Sequence, residues 1–232
     1  MTATRTFAFV LYPGLTPLDF VGPLQVLGAL QEFGLGFEAV TVAADLEPLH
    51  TDIAVSVTAS HTFAQVPEPF GLIVPGGGAP TFAALADEHL LGYVRRAAGT
   101  AELVGSVCTG SLVLGAAGLL EGREAVTHWA AMPMLRAFGA TPVSRRWVAD
   151  GPVRTAAGVA AGIDMALQLV AELVGEDACR MIQSAIEYDP RPPLGPIDWS
   201  GLDREPMESW LRSQVQQGLA ADPELRARLL AP

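Results

Sequence analysis

The 232-residue sequence contains neither lysine nor asparagine, so all fourteen of its basic side chains are arginine. Without lysine there is no amine for Schiff-base chemistry and no lysine to complete a phosphate-binding loop. Without asparagine, a Cys-His-Asn arrangement cannot be assembled. Cysteine is scarce too. Cys108 and Cys179 stand far apart, which fits neither a disulfide framework nor zinc-ligand spacing, and a reducing cytoplasm is the expected compartment. The four histidines, His50, His61, His89 and His128, are scattered without metal-ligand spacing, so no metal is expected. Positive charge is also in deficit. A formal net charge of −11 disfavours nucleic acid or an anionic membrane surface as the main partner.

What is present is apolar. Half the residues are hydrophobic and only 17% are charged, the balance of a folded α/β protein of one large domain, or one domain plus an extension. The apolar stretch after Arg5, Thr6 to Tyr12, is too short for a signal peptide and is closed by Pro13-Gly14. Leu103 to Leu120 runs eighteen residues without a charge, long enough to nominate a membrane span. The segment nevertheless holds Ser106, Thr109, Ser111 and four glycines, and it divides into strand, turn and helix. It reads as a buried element of a protein outside the membrane.

That segment is the centre of the chain. Leu103–Val107 predicts a buried strand, and Ser111 onwards predicts a helix to Leu120. Cys108 falls at the turn between them, followed by Thr109 and Gly110. A side chain at a tight strand-to-helix turn is pushed clear of both elements, as in a nucleophile elbow. An unperturbed thiol is only ~3% ionised at neutral pH, and the unfilled N–H groups of a helix start favour the thiolate. A depressed Cys108 pKa is therefore expected. The plainer alternative is an inert cysteine in an apolar run.

Around the elbow, strands alternate with helices. Strands are expected at Thr6–Leu11, Phe37–Ala43, Ile53–Val57, Gly71–Val74, Ala125–Thr127 and, as a pair, Thr141–Val148 with Val153–Ala156. Thr16 and Pro17 begin a helix that should kink or restart at Gly22-Pro23, since an internal proline removes a bond and clashes with the preceding turn. Further helices are expected at 80–98, 130–138, 160–174 and 177–188. Such alternation means a mainly parallel sheet covered on both faces. From Asp189 the texture changes. A Pro-rich linker (Pro190, Pro192, Pro193, Pro196) precedes one or two helices between Glu205 and Leu230, so the chain divides into a main domain, 1–190, and an extension, 191–232. With five Arg against six acidic residues, the extension is no basic reader of nucleic acid. It is either an arm covering a dimer or disordered.

In an open parallel sheet, sites form where strands end. Three such ends converge: the loop before Asp19, the Gly76-Gly77-Gly78 loop, and the Cys108 turn. The N–H groups of Gly77 and Thr109 are candidates to steady negative charge as Cys108 attacks. Asp19 is either a carboxylate answering a helix start or an acid/base facing the thiol. Thr109 hydrogen-bonds sulfur or ligand, or merely starts the helix. His128 has no acidic neighbour to orient its ring and reads first as structural, as Cys179 does.

Four stretches, Leu15–Pro23, Ile73–Gly77, Ser106–Ser111 and Ala125–Trp129, resemble the ThiJ/PfpI superfamily of the class I glutamine amidotransferase-like fold. Within it, Leu112–Leu120, Ala161–Asp164 and Glu187-Tyr188 are most similar to the isonitrile (isocyanide) hydratases. The resemblance spans about residues 6–193. It implies a flavodoxin-like three-layer sandwich acting as a homodimer without a cofactor. Cys108 is then the nucleophile and Asp19 the general acid/base, with Thr109 beside them. Gly76, Gly77, Gly78 and His128 line the substrate, an isocyanide that is hydrated to an N-substituted formamide through a thioimidate. Two departures exclude other branches. His128-Trp129-Ala130 lacks the His-x-Glu pair of glutaminases, and Thr109 stands where proteases and deglycases carry histidine. A third, Thr155–Gly158, replaces a more glycine-rich stretch of the hydratases. The competing readings are a ligand sensor like the amino-terminal half of AraC-type regulators, whose DNA-binding domain the extension is too short to hold, and a redox protein whose thiol oxidises.

Overall fold

A computed structural model describes residues 4–231. The chain opens with β1 (Arg5–Val10), α1 (Pro17–Glu32) and β2 (Phe37–Ala43), then a small hairpin of β3 (Leu49–His50) and β4 (Ser56–Val57). It continues through β5 (His61–Thr62), β6 (Gly71–Val74), α2 (Ala79–Ala84), α3 (Glu88–Ala98), β7 (Leu103–Val107) and α4 (Gly110–Ala116). Next come β8 (Glu124–Ala125), a 3₁₀ segment (Trp129–Phe138), β9 (Thr141–Pro142), β10 (Trp147–Asp150) and β11 (Val153–Ala156). Four helices close the chain: α5 (Ala161–Val174), α6 (Glu176–Ala185), α7 (Glu205–Gly218) and α8 (Pro223–Leu230).

The seven-stranded sheet has the order β10-β11-β7-β6-β1-β2-β5, parallel throughout except for the antiparallel edge strand β10. Helices α1, α5 and α6 pack together over one face, while α3 and α4 cover the other. The fold is thus the expected three-layer α/β sandwich. Burial follows from that topology. Phe7, Ala8, Phe9 and Val10 of β1 are wholly enclosed, because a central parallel strand has a helix layer on each side. The three innermost strands, β1, β6 and β7, point their carboxyl ends the same way, and the loops that follow them meet at one edge of the sandwich.

Some boundaries differ from expectation. Helix α1 runs on through Pro23 without restarting. Proline removes only the bond to the Asp19 carbonyl, and the buried Val26, Leu27 and Leu30 hold the helix on the sheet. The helix expected over 80–98 is two, because Asp87 caps a new start by accepting from the N–H groups of His89 and Leu90. Only Ser56–Val57 of the stretch 53–57 is strand, and α4 stops at Ala116. The uncharged stretch from Leu103 to Leu120 is strand, turn and short helix within the core. Among the described residues no helix is long and apolar enough to cross a membrane.

The carboxyl-terminal extension folds back onto the sandwich. Leu211, Val215 and Leu219 of α7 and its end, with Leu229 of α8, are buried in the same hydrophobic core as the sheet. Helix α7 packs against α2 and the 3₁₀ segment. In the linker, Trp199 meets Trp129 edge-on at 6.1 Å between ring centroids, and Arg204 lies over the same Trp129 ring at 5.2 Å.

Candidate active site

Cys108 sits at a backbone position that few L-residues adopt, with φ of +57°. The turn is held from both sides. The Cys108 N–H donates to the carbonyls of Ala156 (3.1 Å) and Ala157 (2.8 Å), and its own carbonyl accepts from the Thr127 hydroxyl at 2.9 Å. Immediately after it, Gly110 passes against the carbonyls of Val74 and Pro75. A Cβ there would lie 2.2 Å from the first, so only glycine lets α4 begin this close to the end of β6. The elbow geometry is therefore real, and it is built by three strands at once.

Asp19 lies one turn into α1 and is completely buried. Its Oδ2 accepts from the Gly76 N–H at 2.9 Å, whereas its Oδ1 is buried without a hydrogen-bond partner. Burial pushes the carboxyl up to about 7. The Gly76 N–H opposes this shift, and the charge of Asp52 adds to it. The thiol and the carboxyl face each other closely enough for each to move the other's titration. Asp19 is thus a buried carboxyl whose one hydrogen-bond partner is the Gly76 N–H at the end of β6, not an amide of its own helix start.

The expected low thiol pKa is overturned. Burial raises Cys108 well above its ordinary range, and the facing Asp19 charge raises it further. The N–H of Thr109, and less so its hydroxyl, pulls the other way without prevailing. A helix of seven residues offers a weak dipole, and desolvation of a nearly enclosed sulfur outweighs it. Burial thus favours the protonated form of both groups.

The remaining expected residues divide. Thr109 is buried, and its hydroxyl both donates to the Gly77 carbonyl (2.8 Å) and accepts from the Gly77 N–H (2.9 Å). Of the two amides expected to steady negative charge, that of Gly77 is therefore already engaged by Thr109, which leaves the N–H of Thr109 at the sulfur. Gly78 lies one step further out, against the side chains of Gln214 and Trp210. His128 is half-buried, with its ring beside Gly158 and its Nδ1 toward the N–H of Ala130. Burial lowers its pKa, and it is not among the groups that act on the sulfur. Cys179 donates to the Leu167 carbonyl on the far helix layer.

Sequence reasoning missed the supporting ring. The Tyr12 hydroxyl donates to the Pro75 carbonyl (2.7 Å) and meets the Thr81 hydroxyl at 3.0 Å. Burial first, then the neighbouring Asp19 and Cys108, raise its pKa. The Thr16 N–H donates to the Gly76 carbonyl at 2.8 Å, and its hydroxyl donates to Asp52. A tyrosine placed just past the end of β1 was the one available signal. A surface cleft of about 480 Å3, lined by Leu85, Leu91, Phe138, Leu225 and Arg228, includes none of these residues. Among the described residues, no three His, Cys, Asp or Glu side chains gather as metal ligands.

Comparison with known proteins identifies the family. Residues 5–172 match the DJ-1/PfpI family. The chain belongs to the DJ-1/PfpI family. This member is 43% identical over 186 residues to the isonitrile hydratase of Pseudomonas putida, covering 80% of this chain and 79% of that enzyme. It is 29% identical to the HTH-type transcriptional regulator CdhR of Pseudomonas aeruginosa over 74% of its own length, but spans only 52% of the regulator. Among solved structures, a ThiJ/PfpI family protein from Pseudomonas syringae superposes with a TM-score of 0.84 at 33% identity, covering 97% of this chain and 91% of that one. The coverage of 97% of this chain takes in most of the extension, which lies beyond the part matched to the family.

Proposed function

We propose that this DJ-1/PfpI protein is an enzyme that hydrates isocyanides, converting R–N≡C and water to an N-substituted formamide. The observation that carries the reading is 43% identity to an isonitrile hydratase over four-fifths of both chains. The pairing of a buried carboxyl with an elbow cysteine supports it chemically. Asp19 takes the thiol proton as Cys108 sulfur attacks the terminal carbon, then delivers that proton to the same carbon. The product of this step is a thioimidate, Cys–S–CH=N–R. Water, relieved of a proton by Asp19, adds to the thioimidate carbon. Collapse breaks the C–S bond, sulfur recovers a proton, and the released HO–CH=N–R tautomerises to R–NH–CHO. No electrons change hands, and neither cofactor nor metal enters. The Thr109 N–H steadies the sulfur as it gains charge, while Gly76, Gly77, Gly78 and His128 border the substituent R.

The same reading carries a reducing cytoplasm and a homodimer, the latter checked by mass in solution. Its decisive experiment is turnover of cyclohexyl and aryl isocyanides, with formamide measured directly. A wild-type protein that leaves the whole panel untouched overturns it. The half-length match to a transcriptional regulator favours one second reading, a sensor domain that binds a small molecule without converting it. Saturable binding with no formamide distinguishes that case.

A further inference from the structure

The glycine loop after β6 is fastened by its amides. The Gly76 N–H ends on Asp19 Oδ2, the Gly77 N–H on Thr109 Oγ1, and the Ala79 N–H on Gln214 Oε1, each at 2.9 Å. The first two acceptors belong to the site. The third comes from α7, in the extension, 135 residues further along the chain. Helix α7 approaches closely enough to hold that position. A Cβ on Gly218 would lie 2.2 Å from the Ala79 carbonyl, and one on Gly78 would lie 2.7 Å from Gln214 Oε1. Ala79 opens α2, so its amide has no partner within the helix, and an outside acceptor is what it needs.

We propose that Gln214 is a positioning residue for the Cys108–Asp19 pair: by holding the Ala79 amide it fixes the outer end of the 76–79 loop, and so the Gly76 N–H that grips Asp19. The inference rests on the reading of that pair as the reacting groups. Withdrawing the Gln214 oxygen frees the loop's outer end and weakens the Gly76 bond to the carboxylate. That bond favours the ionised form, so its loss moves the Asp19 midpoint upward. The titratable groups coupled to Asp19 from the elements around it are Asp52, Cys108 and Tyr12, and Gln214 is not among the groups that act on it directly.

The test uses the full chain with 13C-labelled aspartate, following carboxyl resonances against pH and assigning the Asp19 line by its loss in Asp19→Asn. Gln214→Met is expected to raise the Asp19 midpoint by about 0.5 pH unit or more, a readout that destabilisation alone would not move. Gln214→Asn, a milder variant that shortens the reach by one carbon, gives a smaller shift of the same sign and serves if the methionine variant folds poorly. Gln216→Met, on the exposed side of α7, is the matched control and leaves the midpoint in place. An Asp19 midpoint unchanged in both Gln214 variants overturns the proposal. A wild-type Asp19 line already titrating in the ordinary carboxylate range overturns the reacting-pair reading, and the proposal with it. Because no isocyanide is used, a failure of hydratase activity is seen separately.

Discussion

The protein's two cysteines differ in what surrounds the sulfur, one at the turn between β7 and α4 and the other on α6. Cys108 is almost enclosed, held at a left-handed turn and faced by a carboxyl. Cys179 is half-exposed on α6, with its thiol spent on the Leu167 carbonyl. Burial is the largest influence on both, and it raises both pKa values. Acidity therefore does not separate the two sulfurs. A facing carboxyl does. Asp19 stands against Cys108, whereas the charges around Cys179 are the surface groups Arg180 and Glu176.

The sharpest break of this comparison is to remove each sulfur in turn. Cys108→Ala should cut formamide production by at least about 1000-fold, with Cys179→Ala within about twofold of wild type. Full activity without Cys108 would end covalent catalysis as an explanation. Next in size, Asp19→Asn should cost about 100- to 1000-fold while lowering the pH at which Cys108 is alkylated by iodoacetamide, because a facing negative charge is gone. An unshifted alkylation profile would mean that carboxyl and sulfur do not sense each other.

The acceptor role also fixes a pH dependence. Only the ionised carboxylate can take the thiol proton, so kcat/KM should rise with pH through a midpoint near 7, the value to which burial lifts Asp19. The matching stability effect has the opposite slope. Asp19 titrates at 3.8 ordinarily and at about 7 in the folded protein, so between those values the folded state holds the extra proton. Its favourable contribution is whole below about 4 and gone above 7. Denaturant melts should therefore show the stability of wild type relative to Asp19→Asn falling across that window, by up to about 4 kcal/mol. A gap that widens with pH instead would mean an ordinary, low-pKa carboxylate. The smallest effect is expected at the second sulfur, where Cys179→Ser should change stability by less than about 1 kcal/mol.

The elbow was legible in the sequence because its causes are local. An apolar strand ends, a cysteine follows, and a glycine two residues on permits α4 to start against the carbonyls of Val74 and Pro75. Asp19 was legible as a residue but not as an acid. Whether its side chain meets solvent or the Gly76 amide depends on β6, 57 residues away. The thiolate expectation failed for a related reason. A helix start can be seen in a sequence, but the depth at which it lies cannot, and here depth wins. The division of the helix at Asp87 had a local signal, since Asp87 followed by Glu88 is an ordinary helix opening. The hold of Gln214 on Ala79 had none, because nothing in the extension's composition says which surface α7 will cover.

One feature of the turn separates durability from use. At φ of +57°, a residue bearing a Cβ costs about 1–2 kcal/mol that glycine would not. Glycine would thus make a calmer hinge between β7 and α4, and the chain forgoes it. What the strained angle provides is a thiol held beside a buried carboxyl, which glycine could not supply.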